Sequence, residues 1–520
     1  MESLFPATGI LIKPSCKITE SYQRIKSAQH LSFLDVILKI FWIEMIVDSG
    51  GDKLITRYMK KLTPILSYIR RFTSIAGPLI SLLLVAACET EPVIVTPESA
   101  LEEYMRTDDG AYTWELTGSM EYEGYSVYSL LLTSQRWREY TWKHTLTVVV
   151  PYENHHDGAL LFINGGENEN GDPVGGAVDE FFITVFSLLA VKNSAIVAIL
   201  WQVPNQPLYD DLSEDALISY TLNHYREDGD YTWPLLFPMV KAASRAMDAV
   251  QEFSAERLNH QLTSFTVSGA SKRGWTTWLS ASQDERVSTI APMVIDVLNM
   301  PVNLDYQVKV WGDYSIQIRD YVNLGIPQSV HTETGQAIAR MIDPYSYRES
   351  LTMPKMIFIG TNDEYWPVDA VRHYLDDIPG ENFIHYVPNA GHELGDKEQA
   401  LRALSAFFGR SLSGGPYPEC IWNVTPSETG VLLTVEATAE ELRATFLWTA
   451  DSEDRDFRYE TFVSRDLNSN SGGEIQLTVD FPESGYRAFY VDLVYPDPNG
   501  GEYSKSTRMF VADTEQILED

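Results

Sequence analysis

Cysteine is nearly absent from this chain. There are three in 520 residues, Cys16, Cys88 and Cys420. So few can build neither a disulfide framework nor a cysteine metal site. Positive charge is also scarce, with 39 Lys and Arg against 73 Asp and Glu and a formal net charge of −34. A field of that sign repels phosphate backbones, so nucleic acid is not expected as a partner. No nucleotide-binding loop or metal-ligand motif stands out, so no metal and no cofactor are expected. Histidine is limited to ten residues, which shortens the search for any catalytic base.

Long apolar runs are few, and the most telling one is short. Ser81-Leu82-Leu83-Leu84-Val85-Ala86-Ala87 leads into Cys88, and Lys60, Lys61, Arg70 and Arg71 precede it. Basic, then apolar, then small is the order of an export signal. Val85-Ala86-Ala87-Cys88 reads as a lipobox, which predicts a lipid on Cys88 and an exported, membrane-anchored lipoprotein of the bacterial cell envelope. The signal reads as 59–87, opening at Met59-Lys60-Lys61. Residues 1–58 then read as a misassigned upstream translation. Their most apolar piece, Leu31 to Val47, is broken by Asp35, Lys39 and Glu44, a poor pattern for a membrane span. Residues 88–98 read as an acidic tether.

Beyond the tether the chain is rich in alternating patterns. Ala159-Leu160-Leu161-Phe162-Ile163, Ser194 to Leu200, Leu262 to Val267, Val287 to Val297 and Lys355 to Ile359 read as strands buried on both faces. Helix-like segments, among them Glu180 to Val191 and Phe237 to Ser254, lie between them. Strands alternating with helices predict an α/β domain over 99–412 with a mostly parallel sheet. Ser411 to Pro418 then reads as a Gly/Pro/Ser linker. Past it, short alternating strands such as Val431 to Ala437 and Tyr486 to Tyr495 predict a second, all-β domain over 419–513, an immunoglobulin-like sandwich.

The most informative local signal is Gly269-Ala270-Ser271-Lys272-Arg273-Gly274. A serine between glycines, at a strand-to-helix turn, has the form of a nucleophile elbow. The competing reading is a helix-capping serine. The second glycine comes three residues after the serine rather than two, so Arg273 is expected to point outward or the elbow to be opened. A serine nucleophile needs a base, and the base a carboxylate, in the chain order Ser, Asp, His for this architecture. Asp363, in Gly360-Thr361-Asn362-Asp363-Glu364, follows a strand and is the favoured acid. Asp296, at the end of the preceding strand, is the alternative. His392, in Asn389-Ala390-Gly391-His392, is the expected base, because it alone joins a strand end, a loop and the right order. The amides of Gly165 and Gly166, with that of Lys272, are expected to form the oxyanion hole. The aromatic insert Asn303 to Glu349 reads either as a lid over Ser271 or as packed core, and Trp201 to Pro207 as a further pocket lining.

These motifs together resemble the PhoPQ-activated pathogenicity-related family of α/β-hydrolases, from roughly Glu98 to Ser413. That family is similar in fold to prolyl oligopeptidase-like hydrolases and glucuronoyl esterases. The resemblance implies an α/β-hydrolase fold and a Ser-His-Asp triad, acting on a small-molecule or polymer ester in preference to an amide. It also leaves open a non-catalytic binding or signalling protein on the same scaffold.

Overall fold

The computed structural model describes residues 94–175, 180–468 and 473–519. The expectations for 1–58, for the signal at 59–87 and for Cys88 fall outside the described residues, as does most of the tether. No helix among the described residues is long and apolar enough to cross a membrane.

The chain opens with three long antiparallel strands, β1 (Thr113–Tyr122), β2 (Tyr125–Trp137) and β3 (Tyr140–Pro151). They edge a sheet whose centre is parallel. That centre holds β4 (Gly158–Ile163), β7 (Val197–Leu200), β8 (Ser264–Ala270), β9 (Val287–Met293), β10 (Lys355–Gly360) and β11 (Asn382–Val387), while β5 (Glu167–Glu169) and β6 (Asp172–Val174) form a small ribbon. The order across the sheet is β1-β2-β3-β7-β4-β8-β9-β10-β11, and every neighbouring pair from β7 to β11 is parallel. The helices Glu180–Asn193, Leu236–Phe253, Lys272–Gln283 and Glu398–Ser413 supply crossovers and cover.

Residue alternation in β4 explains why its apolar run is unbroken. Ala159, Leu161 and Ile163 enter one core with Val267 and the helix Leu236–Phe253. Leu160 and Phe162 enter the other with Phe186 and Phe407. Both faces of a parallel sheet are buried beneath helices, so every position must be apolar. This is the mostly parallel α/β arrangement that the strand pattern predicts, and the α/β-hydrolase fold that the resemblance implies.

The C-terminal region is all strand: β12 (Cys420–Pro426), β13 (Gly430–Ala437), β14 (Ala444–Ser452), β15 (Val463–Asp466), β16 (Glu474–Asp480), β17 (Tyr486–Pro496), β18 (Glu502–Ser506) and β19 (Phe510–Ala512). Its strands do not close on themselves. The large sheet continues β11-β18-β17-β14-β15, and β19 pairs with β17. The junction is antiparallel, with Ile384 opposite Ser506. A second sheet, β12-β13-β16, lies apart. Its Val431, Leu433, Ile475 and Leu477 share one apolar core with Phe489, Val491 and the helix residues Phe407 and Phe408. The described residues accordingly behave as one compact unit.

Candidate active site

Ser271 sits between the end of β8 and the first turn of Lys272–Gln283, with φ 58 and ψ −127. A side-chain-bearing residue adopts that conformation only where the surroundings impose it. They do so here: the Ser271 amide donates to Met293 O of the adjacent β9 (2.9 Å), and the Ser271 carbonyl accepts from Trp275 N (2.9 Å). Both flanking glycines are sterically required. A Cβ on Gly269 would lie 2.8 Å from the Arg273 carbonyl oxygen. One on Gly274 would lie 2.8 Å from both Met293 O and Ile295 Cγ2, and 3.0 Å from Gly269 O. Gly274 therefore lets the helix start close against β9, and the three-residue spacing serves the elbow. The serine side chain makes no capping bond to the helix.

Arg273 does not point outward. Its side chain is 12 % exposed. Its guanidinium bonds Val203 O and both carboxylate oxygens of Glu214. It packs so closely on Gly165 that a Cβ there would lie 2.7 Å from it. Lys272 also turns to Glu214, with Nζ 2.7 Å from Oε2, and lies 3.5 Å from Asp215. Glu214 is thus gripped by two cations. Burial opposes its ionisation, but Arg273 and Lys272 prevail and hold its carboxyl down at about 2.

The other two triad candidates sit on loops after β10 and β11. His392 Nδ1 lies 2.9 and 3.1 Å from the two Asp363 oxygens. Asp363 is buried and also accepts from Tyr365 N (2.8 Å). Tyr365 stacks on the His392 ring at 4.0 Å, and His392 N donates to Glu364 (3.1 Å). With Nδ1 engaged, Nε2 is left buried without a partner. Ser271 and His392 line the same cavity, of about 70 Å³. Asp296 does not hold the base. It is 1 % exposed and faces Tyr374 and Val371 rather than His392. Burial pushes its carboxyl up to about 7, and Asp363 and Asp369 push the same way. Asp363, not Asp296, holds His392.

The remaining candidates separate. Lys272 lines the cavity, and as the first helical residue its amide has no partner four residues back. Gly165 and Gly166 do not line it. Gly166 has φ 138 and lies against Gln202. Trp201 packs on Phe182 (5.3 Å), and residues 201–207 do not line the cavity. The insert divides. Tyr321, with Met300, Leu304 and Ile338, walls the cavity, whereas Trp311 lies under the Arg458 guanidinium at 4.0 Å.

The family model for PhoPQ-activated pathogenicity-related proteins matches residues 101–458. The chain belongs to that family. The match runs past the 411–418 linker into β14 and the loop beyond it, consistent with the shared core. A curated relative, autocrine proliferation repressor protein A of Dictyostelium discoideum, is 30% identical over 428 residues, covering 76% of this chain and 85% of the relative. Among solved structures, acetyl xylan esterase 1 from Thermoanaerobacterium sp. JW/SL YS485 is similar at TM-score 0.42 and 16% identity, over 61% of this chain and 94% of that one. Glucuronoyl esterase from Solibacter usitatus is similar at TM-score 0.36 and 11% identity, over 61% and 91%.

In this family member the C-terminal region reaches the loops that carry Asp363 and His392. Asn362, next to Asp363, donates from Nδ2 to Phe457 O and Glu460 O, both at 2.8 Å. Asn389, three residues before His392, accepts from Phe462 N (2.7 Å) and donates to Phe462 O (3.0 Å). Asn389 N also donates to Thr361 Oγ1 (2.8 Å), joining the two loops. Sequence reasoning missed Glu214, Tyr365 and these two asparagines. Asn362 and Asn389 stand inside the very motifs that flagged the acid and the base. Glu214 lies 57 residues before the serine in an unremarkable helix start, and no local pattern marks it.

Proposed function

We propose that this protein is a serine hydrolase acting on esters. Ser271 Oγ attacks the ester carbonyl carbon and its proton passes to His392 Nε2. The tetrahedral intermediate collapses, Nε2 returns the proton to the departing alcohol oxygen, and the acyl group remains on Ser271. A water molecule, deprotonated by Nε2, then attacks the acyl carbon and releases the acid with Ser271 restored. Asp363 keeps Nδ1 as the donor, so Nε2 is the basic nitrogen. The helix amide of Lys272, which lines the cavity, is the oxyanion donor in this reading; the Gly165 and Gly166 amides, which do not line it, receive no role. The observation that carries this reading is a serine held at φ 58 on the cavity that it shares with a histidine whose Nδ1 is tied to a buried aspartate. A fluorophosphonate probe should label the wild type and not Ser271→Ala, and equal labelling would remove Ser271 as nucleophile.

Two further expectations travel with this reading. Cys88 carries the lipid that anchors an exported protein, which incorporation of labelled palmitate, lost in Cys88→Ala, would test. The two C-terminal sheets form an immunoglobulin-like sandwich, which comparison of strand order in an experimental structure would test. A second reading, a binding or signalling protein on a hydrolase scaffold, is favoured by one observation: the 30% identical relative bears the name of a proliferation repressor. Retention of full biological effect by Ser271→Ala would select it.

A further inference from the structure

The cavity over Ser271 has a composition that names a substrate class. Its wall is built from Leu222, Trp275, Val297, Leu304, Ile326 and Ile338, all buried. At about 70 Å³ it is several times the roughly 10–15 Å³ that one water requires. Protein interiors are otherwise packed with few such voids. The helices Met300–Trp311 and Glu333–Ile342 hold it open beside the nucleophile.

The polar groups on its wall are largely engaged elsewhere. Trp275 Nε1 donates to Ile342 O, and Tyr321 OH donates to Asp215 (3.0 Å). Lys272 Nζ is held by Glu214 and Asp215. Besides His392 Nε2, the buried lining atom left without a partner is Trp366 Nε1. No cation on the wall is available to a substrate carboxylate, and Asp215 places negative charge there instead. A charged or strongly polar acyl group would enter unpaired, which is costly. In a double-displacement hydrolysis the acyl group stays on the serine while the alcohol must leave, so the enclosed space belongs to the acyl side.

Resting on the hydrolase reading above, we propose that this cavity is an acyl pocket for uncharged aliphatic acyl groups longer than acetyl. Anionic acyl groups are excluded. The pocket's apolar wall, not a specific hydrogen bond, supplies the selectivity.

The test uses 4-nitrophenyl esters, which share one leaving group. From acetyl to butyryl, kcat/KM should rise about fifteenfold, the factor for two methylenes at about 0.8 kcal/mol each. The hemisuccinate ester should react at least a hundredfold more slowly than the pentanoate. Ile338→Trp and Leu222→Phe, which fill the cavity from different sides, should lower the hexanoyl-to-acetyl ratio at least tenfold. Fluorophosphonate labelling of Ser271 in each variant reports that the site is assembled. A flat chain-length profile, or equal rates for hemisuccinate and pentanoate, with labelling intact, overturns the acyl pocket alone. Ester hydrolysis that persists in Ser271→Ala overturns the hydrolase reading and the pocket with it.

Discussion

Asn389 offers the most discriminating test of how His392 is positioned. Its side chain satisfies both the N–H and the C=O of Phe462, which is 2 % exposed. Its own backbone has φ 57, a conformation that glycine accepts freely and alanine resists. Two substitutions therefore separate the two roles. Asn389→Gly removes the side-chain bridge but suits the backbone. It leaves the part-buried N–H and C=O of Phe462 without their protein partner, and because Asn389 is itself exposed water takes up part of the loss, so a cost of about 1–2 kcal/mol is expected. Asn389→Ala removes the same bridge and adds left-handed strain, for about 1 kcal/mol more. Urea unfolding of the three proteins gives the stabilities, and esterase kinetics gives the functional cost. Because His392 lies three residues on, kcat should fall more than KM rises. The reasoning fails if both variants lose less than about 0.5 kcal/mol, or if alanine is no worse than glycine.

Three other substitutions probe separate parts of the site. Gly274→Ala places a Cβ 2.8 Å from the Met293 carbonyl and Ile295. It should cost about 1–3 kcal/mol of stability and at least tenfold in kcat, and a variant with wild-type rates would show that the elbow tolerates the shift. Glu214→Gln addresses acid stability. The carboxyl is held at about 2 in the fold against an ordinary value of 4.5, so its stabilisation is present above 4.5 and lost as pH falls toward 2. The Tm gap between wild type and variant should shrink between pH 5 and pH 2.5, and a constant gap would refute the ion cluster. Asp296→Asn runs the other way. Burial raises that carboxyl to about 7 from 3.8, so the fold binds its proton more tightly than the unfolded chain, and stability is lost as pH rises from about 4 through 7. The variant should gain in Tm relative to wild type from pH 5 to pH 8, while an unchanged difference would mean that Asp296 is already neutral throughout or always charged.

The triad candidates were legible because each announces itself locally. Ser271 needs glycines for close approach, Asp363 follows the apolar run Met356 to Ile359, and His392 follows the strand-like Phe383 to Val387. The direction of Arg273 was not legible. Its inward turn depends on Glu214, which the chain brings back from a distant helix start, and no spacing rule encodes that return. The C-terminal strands were recognisable as strands from their alternation. Alternation reports which face of a strand is buried, not which strand lies beside it, so the continuation of the large sheet through β18 stayed hidden. The linker at 411–418 reads as a boundary because of its glycines and prolines, yet the pairing of Ile384 with Ser506 bridges it. The cavity itself was half legible. The aromatic insert reads either as a lid over the serine or as packed core, and it does some of each: Tyr321 walls the cavity, the other lining side chains are mainly aliphatic, and Trp311 packs elsewhere.

That bridging strand bears on how the protein can be divided. Without β18, strand β11 would end the sheet with open backbone donors and acceptors just upstream of His392. Such an edge is a template for pairing with other chains. A product ending at the linker would contain Ser271, Asp363 and His392 and still expose an open margin beside the His392 loop, so it is expected to elute as oligomers or aggregate in size-exclusion chromatography where the full chain does not. The last fifth of the chain thus works as a protective selvage, and the large sheet is sealed only when synthesis has passed Ser506.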